Sequence, residues 1–173
     1  KIYAIQYYGF FGKAYNFISP KKYMKSYVNY LRRCGVNIEG EPNFIANDVY
    51  FDGHDYSLIS IGNDTVISMK VTLLTHDYSI ARGIQTLTGR KTWDSAATPY
   101  FLKPITIGKN CFIGTGSILL PGTTIGDNCI IGSHAVVKGE IPQNSIVVGN
   151  PGKIILKTDE WAKKHMDIHD YLP

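Results

Sequence analysis

The chain has 173 residues, enough for one well-buried domain and too few to call for two. A hydrophobic content of 44% against 18% charged excludes a disordered chain, and 17 glycines point to many tight turns. The formal charge of +4, from 18 basic and 14 acidic residues without a basic run longer than Lys21-Lys22 or Arg32-Arg33, is too weak for a nucleic-acid partner but suits a small anionic ligand.

Cys34, Cys111 and Cys129 form no C-x-x-C pair, so neither a disulfide framework nor a zinc knuckle is signalled, and a cytoplasmic location is expected. No apolar run reaches the roughly 18 residues of a membrane span, and the start lacks the order of a signal peptide. The first residue is Lys1, not Met, which leaves open whether a segment precedes it.

Residues 2–17 are rich in aromatics, and two readings stay open for them: packing under a neighbouring subunit, or contact with a membrane surface. Ser19-Pro20 followed by residues 21–34 and Gly35 predicts a helix, with Ser as cap, Pro in the first turn and Gly as stop. Tyr23, Tyr27, Tyr30 and Leu31 would share its inner face. A weak coil is expected around Ile38, Phe44 and Tyr50, interrupted by an excursion over residues 52–55.

A period of six then sets in. Ile61, Ile67 and Leu73 hold the first positions of successive sixes, with Thr65, Val71 and Asp77 at the fifth. Residues 79–100, which include Arg82, Arg90, Trp93 and Pro99, have no such phase and predict an extruded loop. Phe101 and Ile105 rejoin the frame. From Ile107 the chain parses into IGKNCF, IGTGSI, LLPGTT, IGDNCI, IGSHAV and VKGEIP, with Ile107, Ile113, Leu119, Ile125, Ile131 and Val137 first and Cys111, Ser117, Thr123, Cys129, Ala135 and Ile141 fifth.

Six fits neither helical periodicity nor strand alternation; it requires a short strand and a turn at fixed spacing. Three such units make a triangular coil, and stacked coils bring residue i onto i+18, about 4.8 Å away. Ile107 should therefore stack on Ile125, Ile113 on Ile131, Leu119 on Val137, Cys111 on Cys129 and Asn110 on Asn128. The branched first positions fill the core, and the narrow fifth positions take small side chains, which makes packing the reading for both cysteines. A second helix is predicted from Thr158 to Tyr171. The chain thus divides into residues 1–35, an aromatic segment and helix; 36–157, a mainly β coil with an extruded loop at 79–100; and 158–173, a short helix.

The string PITIGKNCFIGTGSILLPGTTIGDNCIIGSHAVVKGEIPQNSIVVGNPGKII, with a His just before an unphased loop, resembles the hexapeptide-repeat acyltransferases, in particular the galactoside and maltose acetyltransferase and polysaccharide O-acetyltransferase branch. The resemblance covers about residues 38–155. It implies a left-handed parallel β-helix, a homotrimer, acetyl-CoA as co-substrate, no metal, and a hydroxyl acceptor on a sugar or glycan, with peripheral contact to a membrane-linked glycan as a further option. Transfer from a thioester to an alcohol needs a base and an oxyanion donor. His76, in LLTHDY, matches the family's base, and Thr115 falls where a backbone N–H serves the oxyanion. A covalent Cys or Ser nucleophile is not implied.

The same alignment carries coenzyme contacts onto Thr115, Ser133, Ala135, Lys138, Gly139 and Lys153. The two lysines are either phosphate partners or simply solvated. Asn47 and Asp55 resemble sugar-contacting residues, although a turn-forming role serves Asn47, Asp52 and Asp55 as well. Trp93 is a stacking platform or the anchor of its loop. Phe112, Gly139 and Leu156 depart from the family pattern, and the nucleotide end is expected to bind more weakly. Two rivals share the coil: a zinc enzyme of the γ-carbonic anhydrase kind, for which His54, His76, His134, His165 and His169 lack paired spacing, and a non-catalytic or sugar-binding scaffold.

Overall fold

The structure is a computed structural model that describes residues 19–53, 55–93 and 97–172. The expectations for residues 1–17 and for His54 lie outside those residues. The described chain opens with helix α1 (Pro20–Cys34), which starts on its proline and stops at Gly35, whose φ of 112° suits glycine. Tyr23, Tyr27, Val28 and Leu31 are buried on one face of α1 against the first coil.

Short strands then follow: β1 (Asn37–Ile38), β2 (Phe44–Ile45), β3 (Tyr50–Phe51), β4 (Ile59–Ile61), β5 (Val66–Ile67), β6 (Thr72–Leu73), β7 (His76–Asp77), helix α2 (Ser79–Thr88), β8 (Phe101–Leu102), β9 (Ile105–Ile107), β10 (Phe112–Ile113), β11 (Ile118–Leu119), β12 (Thr124–Ile125), β13 (Ile130–Ile131), β14 (Val136–Val137), β15 (Glu140–Ile141), β16 (Ser145–Val148), β17 (Lys153–Lys157) and helix α3 (Thr158–Ile168). They form one sheet in the order β1-β4-β9-β12-β15, a second in the order β2-β5-β10-β13-β16-β17 and a third in the order β3-β6-β11-β14. Each circuit of the chain lays one strand on the first, second and third sheet in turn. Pairing within the sheets is parallel except where β17 folds back on β16.

The expected register holds through the six-residue repeats: Ile107 pairs with Ile125, Ile113 with Ile131 and Leu119 with Val137. These aliphatics form the core, and Cys111, Ser117, Thr123, Cys129 and Ala135 are buried between them. At one corner Asn110, Asn128 and Asn144 take φ of 51°, 59° and 58°, and the Asn110 amide donates to the Asn128 oxygen and the Asn128 amide to the Asn144 oxygen, each at 2.9 Å. Gly108 is required for another reason: a Cβ there would meet the Asp127 carboxylate at 2.5 Å and the Gly126 backbone at 2.7 Å.

The frame departs from the expected one at both ends. Ile45 and Phe51, not Phe44 and Tyr50, point inward, because the loop through Gly40 sets Ile45 seven positions after Ile38 instead of six, and a one-residue slip reverses the faces. In the last repeat a turn at Gly139 brings Ile141 onto Ile125 after only four residues, so Ile141 holds a core position, not a narrow fifth one. Asp77 and Phe101 leave the frame altogether and pair with each other in the antiparallel β7–β8 ladder. The first ten residues of the excursion form α2, which turns Ala81 into the protein. The tail helix spans Thr158–Ile168, shorter than expected, with Lys157 at its cap position.

The outward side chains differ between faces. The first sheet presents Asn37, Ser60, Thr106, Thr124 and Glu140; the second presents Phe44, Val66, Phe112 and Ile130; the third presents Tyr50, Thr72, Ile118 and Val136. Two of the three faces are thus largely apolar. Among the described residues no helix is long and apolar enough to cross a membrane.

Candidate active site

His76 stands where the chain leaves the third sheet, at the base of the excursion. β3 pairs with β6 so that Phe51 lies beside Leu73, which carries Asp52 next to Thr75 and His76 one circuit later. The Asp52 carboxylate is 2% exposed, and one of its oxygens, Oδ2, accepts from Thr75 N (2.8 Å), Thr75 Oγ1 (2.9 Å) and His76 N (3.0 Å). The same oxygen lies 2.5 Å from His76 Nδ1. Burial alone would push this carboxyl up. The Thr75 N–H, the His76 ring, the Thr75 hydroxyl and the imidazole charge outweigh that effect and hold it below the usual carboxylate range.

An ionised carboxylate on Nδ1 fixes both ring orientation and tautomer: the proton sits on Nδ1, and Nε2 is the nitrogen that can act as base. The Tyr78 ring meets the imidazole edge-on, with centroids 5.3 Å apart. Behind it, Tyr100 lies 4.9 Å and Trp93 5.8 Å from Tyr78. Trp93 remains 67% exposed despite this contact, and the Arg82 guanidinium lies 5.8 Å from its ring centre.

On the C-terminal side of the β7–β8 ladder, Asp77, Phe101, Lys103, Pro121 and Lys138 line a small cleft. The Ser79 N–H and hydroxyl, and then Lys138, hold the Asp77 carboxyl below its ordinary range. Lys138 and Gly139 follow β14 as His76 follows β6, so they occupy the same corner as the imidazole. Thr115, Ser133 and Ala135 do not. They lie in turns between the second and third sheets, a full face of the coil away, as does Asn47. Ala135 is buried, so its outward contacts are limited to backbone, whereas Ser133 is exposed. Lys153 is exposed at the start of β17. Asp55 shares the His76 corner but is engaged in capping the turn Tyr56–Leu58, accepting from Ser57 N at 2.9 Å and Ser57 Oγ at 2.7 Å.

Asp52, Thr75, Tyr78 and Tyr100 were not singled out as site residues by the sequence. The sequence offers Asp52 only as a turn residue. Only the 22-residue offset of β3 from β6 reveals its partner, and the one-residue slip in the first coil obscures that offset. Among the described residues no three His, Cys, Asp or Glu side chains are grouped to hold a metal ion.

Residues 104–139 match the family described as bacterial transferase hexapeptide (six repeats). Over 82% of its length the chain is 36% identical to protein CapG of Staphylococcus aureus, covering 77% of that protein. It is 33% identical to the galactoside O-acetyltransferase of Escherichia coli (strain K12) over 79% of its length, but spans only 62% of that relative. It spans 53% of the same organism's putative lipopolysaccharide biosynthesis O-acetyl transferase WbbJ, at 31% identity over 61% of this chain. In fold it is similar to a galactoside acetyltransferase in complex with coenzyme A, with a TM-score of 0.61 and 23% identity, covering 98% of this chain and 88% of that one. Repeat, register and relatives agree: the chain belongs to the hexapeptide-repeat family of acetyltransferases.

Proposed function

We propose that the protein transfers an acetyl group from acetyl-CoA to a hydroxyl of a sugar or polysaccharide precursor by direct attack, with His76 as general base. The observation that carries this reading is the buried Asp52 carboxylate on His76 Nδ1. A surface histidine in a turn has no use for a buried, four-times hydrogen-bonded carboxylate; a base that must become imidazolium for part of each turnover does. The acceptor oxygen attacks the thioester carbonyl carbon as its proton passes to Nε2. The tetrahedral intermediate then collapses, the C–S bond breaks, and the imidazolium returns the proton to the departing thiolate. The Thr115 N–H is assigned to the oxyanion. Ser133, Ala135, Lys138, Gly139 and Lys153 are assigned to the coenzyme, and Asn47, Asp55 and Trp93 to the acceptor.

Thr115 and His76 lie at different corners of one coil, so a shared acetyl-CoA needs two copies of the chain. We therefore read the assembly as a homotrimer whose largely apolar second and third faces meet at the seams. In this reading the coil winds left-handed, α2 and β8 belong to an excursion extruded beside the seam, and α1 and α3 flank the coil. The location is cytoplasmic, with the acceptor free or presented at a membrane surface.

The test is thioester cleavage with acetyl-CoA and a panel of sugars for wild type and His76→Ala. The wild type should acetylate at least one sugar, and the variant should lose on the order of a hundredfold to ten-thousandfold in kcat. Equal activity in the two proteins, or no transfer to any acceptor together with no coenzyme binding, rejects the reading.

A further inference from the structure

Arg82 lies on the exposed side of α2. Its Nη2 donates to the Thr92 hydroxyl at 3.3 Å, and that hydroxyl donates to the Ala81 carbonyl at 2.6 Å. The far limb of the excursion is thereby tied back to the helix, and the guanidinium is held over Trp93. Among the described residues no carboxylate pairs with Arg82; the ion pairs there are Arg32–Glu41, Asp52–His76, Glu39–Lys109 and His165–Asp170. An unpaired lysine on a flexible stem is ordinary surface. A guanidinium positioned by a hydrogen bond and an aromatic ring has already lost much of its rotamer freedom, so it binds at a lower entropic cost.

The ring sequence runs from this cation to the proposed base. Trp93 touches Tyr78, and Tyr78 stands edge-on to His76. An exposed indole takes the C–H face of a pyranose ring, while a planar guanidinium takes a carboxylate through two parallel hydrogen bonds. A neutral sugar lying on Trp93 would leave the cation without a partner. The cleft on the other side of the β7–β8 ladder adds Lys103 and Lys138 against the single carboxylate of Asp77, so the field at this corner also favours an anion.

We infer that the acceptor is a sugar carrying a carboxylate, a ring of the uronic acid type, seated on Trp93 with its carboxylate on Arg82. This assignment rests on the acetyl-transfer reading for the word acceptor, but it is a statement about binding and is tested without acetyl-CoA. Trp93 and Trp161 are the two tryptophans of the chain, so Trp161→Phe leaves Trp93 as sole reporter. In that background, fluorescence titrations with methyl glucuronide and methyl glucoside compare ligands that differ at C6 alone, with inorganic phosphate as a further arm. The glucuronide should quench saturably and bind about tenfold tighter than the glucoside, with an affinity that weakens as salt rises. Arg82→Gln should cost about tenfold for the glucuronide and leave the glucoside unchanged, with the far-UV circular dichroism of the parent. Equal affinity for the two glycosides, no saturable response to the glucuronide, insensitivity to Arg82→Gln, or a phosphate response matching that of the glucuronide each overturns the assignment. Failure of His76→Ala to affect catalysis would remove the transfer reading while leaving these binding results to stand or fall separately.

Discussion

At the scale of single residues, the Asp52–His76 pair concentrates the chemistry. Asp52 is a positioning residue: it acts on the imidazole and not on substrate. Asp52→Asn should therefore lower kcat on the order of a hundredfold or more, leave KM for acetyl-CoA nearly unchanged, and shift the acid limb of the pH profile, where protonation of the base shuts off activity. An amide that presents N–H to Nδ1 favours the tautomer with its proton on Nε2. A merely structural aspartate would alter stability without moving that profile. The carboxylate also makes folding sensitive to acid. Its folded pKa is depressed below the ordinary 3.8, so its contribution is complete above that value and is lost as pH falls through the lower folded value. Urea unfolding at neutral and acid pH should show the stability gap between wild type and Asp52→Asn narrowing only under strongly acid conditions. The histidine was legible in the sequence because it abuts the break in the repeat. The aspartate was not, since its partnership is made by strand pairing across residues that carry no local signal.

At the scale of elements, the six-residue strand and turn explains where the sequence was easiest to read and where it misled. From Ile107 to Val137 each branched residue meets its counterpart 18 positions on, and the spacing alone specified the pairing. Two circuits that depart from 18 residues shift the expected positions, so that Ile45 takes the inward place expected of Phe44 and Ile141 takes a core place, whereas the 46-residue circuit from Ile67 to Ile113 keeps its faces. Helix α2 carries Ile80, Ala81, Ile84 and Leu87 at helical spacing, but Gly83 in its middle and the absence of a capping side chain at Tyr78 weaken its local signal beside a clear six-residue pattern. The hairpin arm β17 is a run of three aliphatics, Ile154-Ile155-Leu156, between Lys153 and Lys157, with neither strand alternation nor a six-residue phase to mark it. Corner glycines are the element-scale weak point. Gly108→Ala forces a methyl group against backbone and carboxylate one coil away, and should cost about 1–3 kcal/mol, seen as a lower urea midpoint with an unchanged m-value. Gly83→Ala, where an added Cβ meets open space in a helix, should instead be neutral or stabilising.

At the scale of the whole molecule, the proposed trimer makes a prediction that a lone coil does not. Phe112 is 44% exposed on the second sheet, in line with Phe44, Val66 and Ile130. Phe112→Glu places a charge on that stripe while leaving the inward Ile113 in place. It should yield a folded but monomeric protein by sedimentation equilibrium, with acetyl transfer lost in step with the trimer. A wild type that sediments as a monomer, yet is active, rejects the shared site. The ends of the stack have a separate consequence. A parallel solenoid with bare terminal rungs would template the next molecule and grow into filaments. Here α1 lies against the opening coil, β17 reverses direction across β16, and the turn after Val148 occupies the Val136 backbone through Gly149 and Gly152. Segments of the chain itself thus lie on the outer rungs at β1, β2, β14 and β16, which disfavours end-to-end templating there and leaves the flanks of the coil to the side-by-side association of the proposed trimer.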